Sequence, residues 1–397
     1  MIYDAIVVGA GPAGAVLAHQ LATRGLRVLI LERTRLPRYK PCGGGVTLKT
    51  VRSLPFDASS VFEVQAEAGR LTYRGRTVAK AVLDRPAAWL VMRDRFDQFL
   101  AERAQEAGAR LIESATVNGF EQHSGGVTVR CRQGQTFSGR LLAGADGVYS
   151  VVARAVDLLP GRNVGVALEA EVAVPDAARA AQGAEATFDF GALPHGYGWI
   201  FPKRDHLSIG VFAAQPGKAP HIKAYLRQFA ASQATLREAT WLTVRGHLIP
   251  LGGALETLHR DRVLLVGDAA NLADPWLGEG LYYAVSSARI AADVIAGALD
   301  AGRVDLSAYT SRVHAEIVRD FRYAQRLSRV VMGFPRLCSA FLSRSSLLQE
   351  GIFGVVRGDE TFGALYHRLK RQIPKVLLQA VVGRSGAAGW DRGRAAA

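Results

Sequence analysis

The sequence predicts an α/β architecture, α+β over the whole chain: a parallel sheet layered with helices, a second antiparallel or mixed sheet, and a mainly helical C-terminal region. Three observations carry this. The apolar runs YDAIVV (3–8) and RVLILE (27–32) flank a small-residue helix pattern at 12–24, which makes a β-α-β opening. Runs at 163–174, 184–190, 197–202 and 207–213 read as strands of one mixed sheet, with PKRDHL as the turn between the last two. In the tail the apolar residues fall at helical spacing, interrupted by Pro335 and Pro374.

The remaining elements follow in order. Gly25 ends the first helix. Residues 70–92 alternate as strands do, and DRFDQFLAERAQEAG (94–108) is an amphipathic helix with an N-cap and a glycine stop. Strands are expected near 110–118, 127–132 and 136–144, and a helix over 221–236. RVLLVGDAA (262–270) reads as a buried strand ending in a tight turn, followed by a long helix from about Gly280 to Ala301. The last dozen residues, rich in Gly, Arg and Ala, read as disordered. The expected units are a discontinuous nucleotide-binding domain (1–70, 91–160 and 258–300), a β-sheet substrate domain (71–90 and 161–257) and the helical region 301–397.

Composition narrows the function classes. The chain has 397 residues and a net charge of +14, and residues 312–397 hold 15 basic against 6 acidic residues, so +9 of that excess lies in the tail. No nucleic-acid module accompanies it, and no nucleic-acid partner is expected. The first residues run straight into a strand, so no leader is expected. No apolar run reaches about 18 residues, which argues against a spanning helix. Cys42, Cys131 and Cys338 have no metal-type spacing and suit a reducing, cytoplasmic setting. The nine histidines are scattered, so no metal site is expected, and no GxSxG nucleophile motif occurs.

GAGPAG (9–14) follows the first strand. Gly9 permits a tight turn, Gly11 lets a pyrophosphate approach the backbone, and Gly14 lets helix and strand pack closely. Pro12 and Ala13 open the helix whose free N–H groups face the phosphates. Glu32, at the end of the second strand, suits an adenosine ribose, with Arg33 beside it. Arg93 stands at a helix start where a guanidinium can reach a pyrophosphate, and Val117 joins the same set. Further on come Asp146-Gly147 at a strand end, then Gly267-Asp268, Pro275, Gly278, Gly280 and Leu281. Taken alone, the Asp-Gly pair reads more readily as an ordinary turn.

In this order the motifs resemble the flavoprotein superfamily typified by para-hydroxybenzoate hydroxylase. The resemblance implies FAD, with Asp268 reaching the ribityl chain, the Asp-Gly segment serving FAD, and the helix near Gly280 aimed at the pyrimidine edge of the flavin. Two further stretches, KPCGGG and PHGYGWIFP, resemble the geranylgeranyl reductase family. Tyr197, Trp199 and Phe201 share one strand face, which reads either as core packing or as the wall of an apolar cavity. With Pro202 and Phe212, they are the substrate-binding residues that the resemblance implies. Phe212 stands where the family's strand motif has a second glycine, so the length of the prenyl chain is open.

The implied activity is saturation of isolated C=C bonds in an isoprenoid, with a lipid-like substrate and NADPH, NADH or ferredoxin as reductant. Cys42 with Gly43, Gly44 and Gly45 is the implied catalytic loop, its glycines letting main chain lie against the flat ring system. A buried, purely packing role for Cys42 is the alternative. Two other functions are weighed: an FAD-dependent aromatic or lipid monooxygenase on the same fold, and a non-catalytic flavin protein that binds lipid or senses redox state. The basic, amphipathic segment 326–348 reads as a peripheral membrane contact, a dimer interface or a solvated helix face.

Overall fold

The computed structural model describes residues 1–372 other than 83, 159–162 and 254. The expected disordered tail and Pro374 lie outside the described residues.

The first sheet is built on the β-α-β opening. Its strand order is 259–260, 263–265, 136–144, 2–8, 28–31 and 110–112, with the hairpin 117–131 added beside 136–144. The central strands are parallel and their ends align: Val8 lies beside both Leu31 and Gly144, and Gly144 beside Leu265. The chain therefore leaves each strand along one edge. The glycine loop, Glu32, Asp146 and Asp268 all emerge there, at the carboxyl ends of parallel strands where ligands collect. Helices Pro12–Thr23 and Leu281–Asp300 pack on the sheet. Gly267 shows how closely they pack, since a Cβ there would lie 2.9 Å from the Ala13 Cβ.

The second sheet has seven strands, in the order 240–251, 163–173, 207–213, 196–202, 185–190, 68–73 and 76–82. One face holds Ile200, Ile209 and Val211 under the helix Ile222–Ser232, with Phe229 and Leu226 in contact. The other face holds Tyr197, Trp199 and Phe212 against Leu327, Val355, Phe362 and Leu365 of the C-terminal helices. A third, three-stranded sheet joins Gly45–Thr47, Ala88–Leu90 and Val64–Ala66.

Several expectations need correction. Thr240–Leu251, the longest strand, is absent from the sequence reading, because its alternation is broken by Arg245, Gly246 and Pro250. Helix Arg93–Glu106 begins one residue before Asp94, with Met92 as its N-cap and no side-chain cap. The buried strand expected over 262–270 is only Val263–Leu265, and the rest is a short helical turn. Pro335 starts a helix (Pro335–Leu342) directly after Arg319–Gly333 ends, as its fixed φ favours at a first helical position. No helix among the described residues is long and apolar enough to cross a membrane.

Candidate functional site: a dinucleotide cavity and the cysteine loop beside it

A cavity of about 940 Å³ opens along the shared strand edge. Gly9, Gly11, Pro12, Ala13, Glu32 and Arg33 line one part of it. Arg93, Val117, Asp146 and Gly147 line the middle, and Cys42, Asp268, Gly278, Gly280 and Leu281 line the rest. Thus fifteen sequence-predicted residues meet in one space although they come from eight separate stretches.

The glycines of GAGPAG separate into two kinds. A Cβ at Gly9, whose φ is +102°, would lie 2.5 Å from the Ala145 carbonyl oxygen, and one at Gly14 would lie 2.0 Å from the Gly9 oxygen. Protein packing alone demands those two. At Gly11 a Cβ would meet nothing nearer than Arg38 Nη2 at 3.9 Å. The space above Gly11 is cavity, and the helix starting at Pro12 has no side-chain cap, so its N–H groups open onto it. The helix starting at Leu281 is likewise uncapped at Gly280 and opens onto the same space. Two free helix N-termini, with Arg38, Lys40 and Arg154 on the walls, suit an anionic dinucleotide. The residues present fit FAD.

Acidic side chains on the walls differ in role. Glu32 is already oriented: Oε2 accepts from Ala10 N at 2.8 Å, and Oε1 accepts from Thr34 N at 3.1 Å and Thr34 Oγ1 at 2.8 Å. Asp146 accepts from Ser150 Oγ (2.5 Å) and Val151 N (2.7 Å), so its carboxylate caps the short helix Val151–Ala155 and positions the turn. Asp268 is pushed above the usual carboxylate range by burial, against the pull of Lys40 and Arg93.

Loop 38–45 forms the wall opposite the strand edge. Arg93 is held by Asp97 through Nε at 2.8 Å and Nη2 at 3.0 Å, and Arg38 pairs with the same fully buried carboxylate at 2.9 Å. The Arg93 guanidinium also contacts the Cys42 sulfur, which accepts from Gly44 N at 3.4 Å. Lys40 Nζ lies 2.6 Å from His247 Nε2. Burial, then Arg93, lowers Lys40 to about 8. Burial and the Lys40 charge lower His247 to about 3, so the imidazole is neutral and accepts from the ammonium.

The triple glycine faces protein. A Cβ on Gly43 would lie 2.8 Å from Phe201 and 3.1 Å from Trp199 Nε1, and one on Gly45 would touch Phe201 at 3.8 Å. Gly44, at φ +72°, would bring a Cβ within 2.1 Å of the Val91 oxygen and 2.6 Å of Lys203 Nζ. Gly43, Gly44 and Gly45 do not line the cavity; their close approach is to the aromatic strand and to Val91. The buried Lys203 fastens the loop by donating to the carbonyls of Gly43 and Val91, both at 2.8 Å.

Tyr197, Trp199, Phe201 and Phe212 lie one layer behind the cavity, in the aromatic core under the C-terminal helices. Strand alternation turns Pro202 to the other face, with Ile200. The Tyr197 hydroxyl reaches forward and donates to the Leu277 carbonyl. That carbonyl belongs to the turn that delivers Gly278 and Gly280. The turn is organised by Asp274, fully buried, which accepts from Trp276 N, Leu277 N and Glu279 N at 2.8–2.9 Å. Glu279 then ties it to Thr47 and Lys49, each at 2.6 Å. Pro275 serves the turn from outside the cavity lining, as do Gly267 and Gly14 in their own elements.

Sequence reasoning missed Tyr39, Lys40, Asp97, Lys203, His247 and Asp274. It also missed Glu169 and Glu171, buried on one face of the strand Asn163–Ala173. For that pair a signal was available: two glutamates at period two inside VALEAEVAV (166–174) have no apolar explanation.

The chain matches a family model described as FAD binding domain over residues 2–320. It is 30% identical to a digeranylgeranylglycerophospholipid reductase of Methanocella arvoryzae, over 79% of this chain and 82% of that one. It is 30% identical to a menaquinone reductase of Mycobacterium tuberculosis, over 84% and 85% of the two chains. A geranylgeranyl bacteriochlorophyll reductase-like structure from Thermoplasma acidophilum superposes with a TM-score of 0.79, covering 95% of this chain and 98% of that one at 21% identity, a likeness of fold. With the FAD-type cavity, the CGGG loop and the YGWIFP strand in place, the chain belongs to the geranylgeranyl reductase family of FAD-dependent oxidoreductases.

Proposed function

We propose that this protein saturates isolated C=C bonds of an isoprenoid chain, using FAD reduced by NADPH, NADH or ferredoxin. The observation that carries the reading is the position of loop 42–45. Cys42 is on the cavity wall, while the glycines after it dock on Phe201 and Trp199, so one loop joins the dinucleotide space to an apolar aromatic layer. A prenyl tail held in the cavity beside Cys42 would have that layer, with Tyr197, Trp199, Phe201 and Phe212 packed under the helices around Val355 and Phe362, as its apolar backing. Pro202 then shapes the strand rather than the wall.

FAD supplies a hydride from N5 when bound. The protein must hold the alkene beside it and deliver a proton to the second carbon, because an unactivated alkene does not hold the charge. Cys42 is fixed for such a task by Gly44 N, which donates to its sulfur, with the Arg93 guanidinium beside it. It donates the proton or positions the chain.

Dithionite-reduced enzyme incubated without oxygen with geranylgeranyl compounds tests this. The relatives' names include a glycerophospholipid and a quinone, so the panel should carry diphosphate, glycerophospholipid and quinone head groups. A product gaining two hydrogens per bond is expected, and Cys42→Ala should keep FAD while losing or redirecting saturation. Oxygen gained in air without saturation points instead to a monooxygenase, and tight FAD without turnover to a non-catalytic flavin protein.

Peripheral docking on an anionic membrane belongs to the same reading. Val330, Phe334 and Leu337 are exposed at the helix break around Pro335, beside exposed Arg326, Arg329 and Arg336. Sedimentation with anionic liposomes, lost at high salt, is the expected result.

A further inference from the structure

Behind the Cys42 loop lies a group of ionisable side chains that the cavity itself does not explain. Glu169 and Glu171 are 2% and 4% exposed, in an otherwise apolar strand. Glu171 Oε2 is 3.0 Å from His206 Nε2, and His206 Nδ1 is 2.6 Å from Asp205 Oδ1. The Asp205 side chain is 82% exposed, so this end of the row is in water. At the other end, Tyr39 Oη donates to Glu169 Oε1 at 3.5 Å, and Tyr39 lines the cavity two residues from Pro41 and three from Cys42. Ser208 Oγ donates to the same oxygen at 3.4 Å.

Glu169 Oε2 finds no donor among the described residues although it is buried. An unpaired buried carboxylate oxygen is costly. A single proton shared with Glu171, the neighbouring carboxylate on the same strand face, removes that cost.

We propose that Asp205, His206, Glu171 and Glu169 form a proton-supply row that runs from solvent to Tyr39 at the cavity rim and restores the proton consumed by each saturation. This rests on the proposed reductase activity. Saturating one C=C bond breaks its π bond and forms two C–H bonds. One carbon takes a hydride, with its two electrons, from the two-electron-reduced flavin. The other takes the Tyr39 hydroxyl proton, which leaves its hydrogen bond to Glu169, and Glu169 then donates its own proton to the Tyr39 oxygen. The Glu169 carboxylate is refilled by Glu171, and Glu171 by His206 from water.

The charges around the row favour this direction of flow. Burial, then Glu171, raises Glu169 to about 9, with Cys42 adding to the rise and Lys203 opposing it. The other facing group is Arg245, paired across the strands with Glu169. The Glu169–Glu171 pair therefore holds a proton at neutral pH. His206 is raised, because its hydrogen bonds to Glu171 and Asp205 outweigh the effect of burial, so it carries a proton more readily than a free histidine.

Glu169→Gln, Glu171→Gln, His206→Phe and Tyr39→Phe test the row in FAD-loaded protein. The first readout needs no turnover. Infrared spectra of the oxidised protein should contain a carboxylic-acid carbonyl band that fades as pH rises through about 9 and is absent in Glu169→Gln. The second is single-turnover saturation by pre-reduced enzyme. Glu169→Gln and Tyr39→Phe should slow it about 100-fold with the rate of flavin reduction unchanged, and Glu169→Gln, whose residue does not line the cavity, should leave FAD affinity unchanged as well. Glu171→Gln and His206→Phe should spare the first turnover and slow the later ones. A band that persists in Glu169→Gln, or wild-type saturation that Glu169→Gln and Tyr39→Phe leave unchanged, overturns the row alone. A wild-type protein that saturates no isoprenoid overturns the activity, and the supply role with it.

Discussion

The two glycine loops of this molecule look alike in the sequence and differ in what requires them. In GAGPAG a Cβ on the middle glycine would meet only the end of Arg38, at 3.9 Å, and its missing side chain leaves room for a ligand. In CGGG the first two glycines are forced by protein: Phe201 and Trp199 against Gly43, the Val91 carbonyl and Lys203 against Gly44. The nucleotide end of the cavity is thus an opening kept by the backbone. The cysteine end is a packed joint, fastened by a buried lysine, whose one cavity-facing member is Cys42. A glycine-rich stretch identifies close approach, and only the tertiary structure identifies what approaches.

The largest expected effect breaks this distinction if it fails. Gly44→Ala combines an unfavourable φ with a contact of 2.1 Å to backbone, which nothing flexible can relieve. We expect a loss of about 3 kcal/mol or more in the unfolding free energy of the FAD-free protein, measured by urea titration. Gly11→Val should do the reverse. Its backbone (φ −72°, ψ −179°) is extended and open to any residue, so FAD-free stability should stay within about 1 kcal/mol of wild type. FAD affinity, read by fluorescence quenching, should fall about 100-fold as the side chain fills the space above the helix N-terminus. Equal losses of stability in both variants would remove the difference between the two loops.

The same difference explains what was legible beforehand. The strand ends and the glycine, Asp-Gly and Gly-Asp signals are each local, and parallel strands align their ends by rule, so a reader of the sequence can gather Gly9, Glu32, Asp146 and Asp268 at one edge. The triple glycine gave its position but not its reason, because Phe201 and Val91 meet it only after folding. Lys203 sat in a stretch read as a turn, and nothing local marks its two carbonyl partners. His247 was hidden with its strand, whose glycine and proline broke the expected alternation. The aromatic face lies on one side of its strand as the alternation implies, and read alone it favours core packing over a cavity wall. In the structure those rings form the layer behind the wall, touching it through the Tyr197 hydroxyl.

That hydroxyl offers a finer test of how the two ends communicate. Tyr197→Phe leaves the aromatic core intact and removes the donor to Leu277 O. The half-buried carbonyl is left unpaired, at a cost of about 1 kcal/mol. The turn from Asp274 to Gly280 loses one tether and keeps the three N–H bonds to Asp274. FAD affinity should drop about fivefold, the equivalent of that energy. No change would mean that the Asp274 and Glu279 contacts hold the turn by themselves.

The smallest effect separates the two ends by pH. Lys40 titrates at about 8 and His247 at about 3, so near neutrality the cavity holds a charged lysine bonded to a neutral imidazole. Raising pH through 8 removes that positive charge from the wall. An anionic dinucleotide then binds with uptake of one proton, which makes affinity pH-dependent in a definite direction. The FAD dissociation constant should rise roughly fourfold between about pH 7 and 8.5, by linkage to a single site near 8. Lys40→Met should bind FAD more weakly around pH 7, converge with wild type as pH rises, and lose this dependence, because the titrating group is gone. Glu169, at about 9, belongs to the other end and does not line the cavity. Its titration should bend the saturation rate and leave the affinity curve untouched, so Glu169→Gln should retain the rise through pH 8. If the affinity curve instead moves with Glu169, the cysteine loop and the nucleotide wall are one electrostatic unit, and the distinction between opening and joint holds for packing alone.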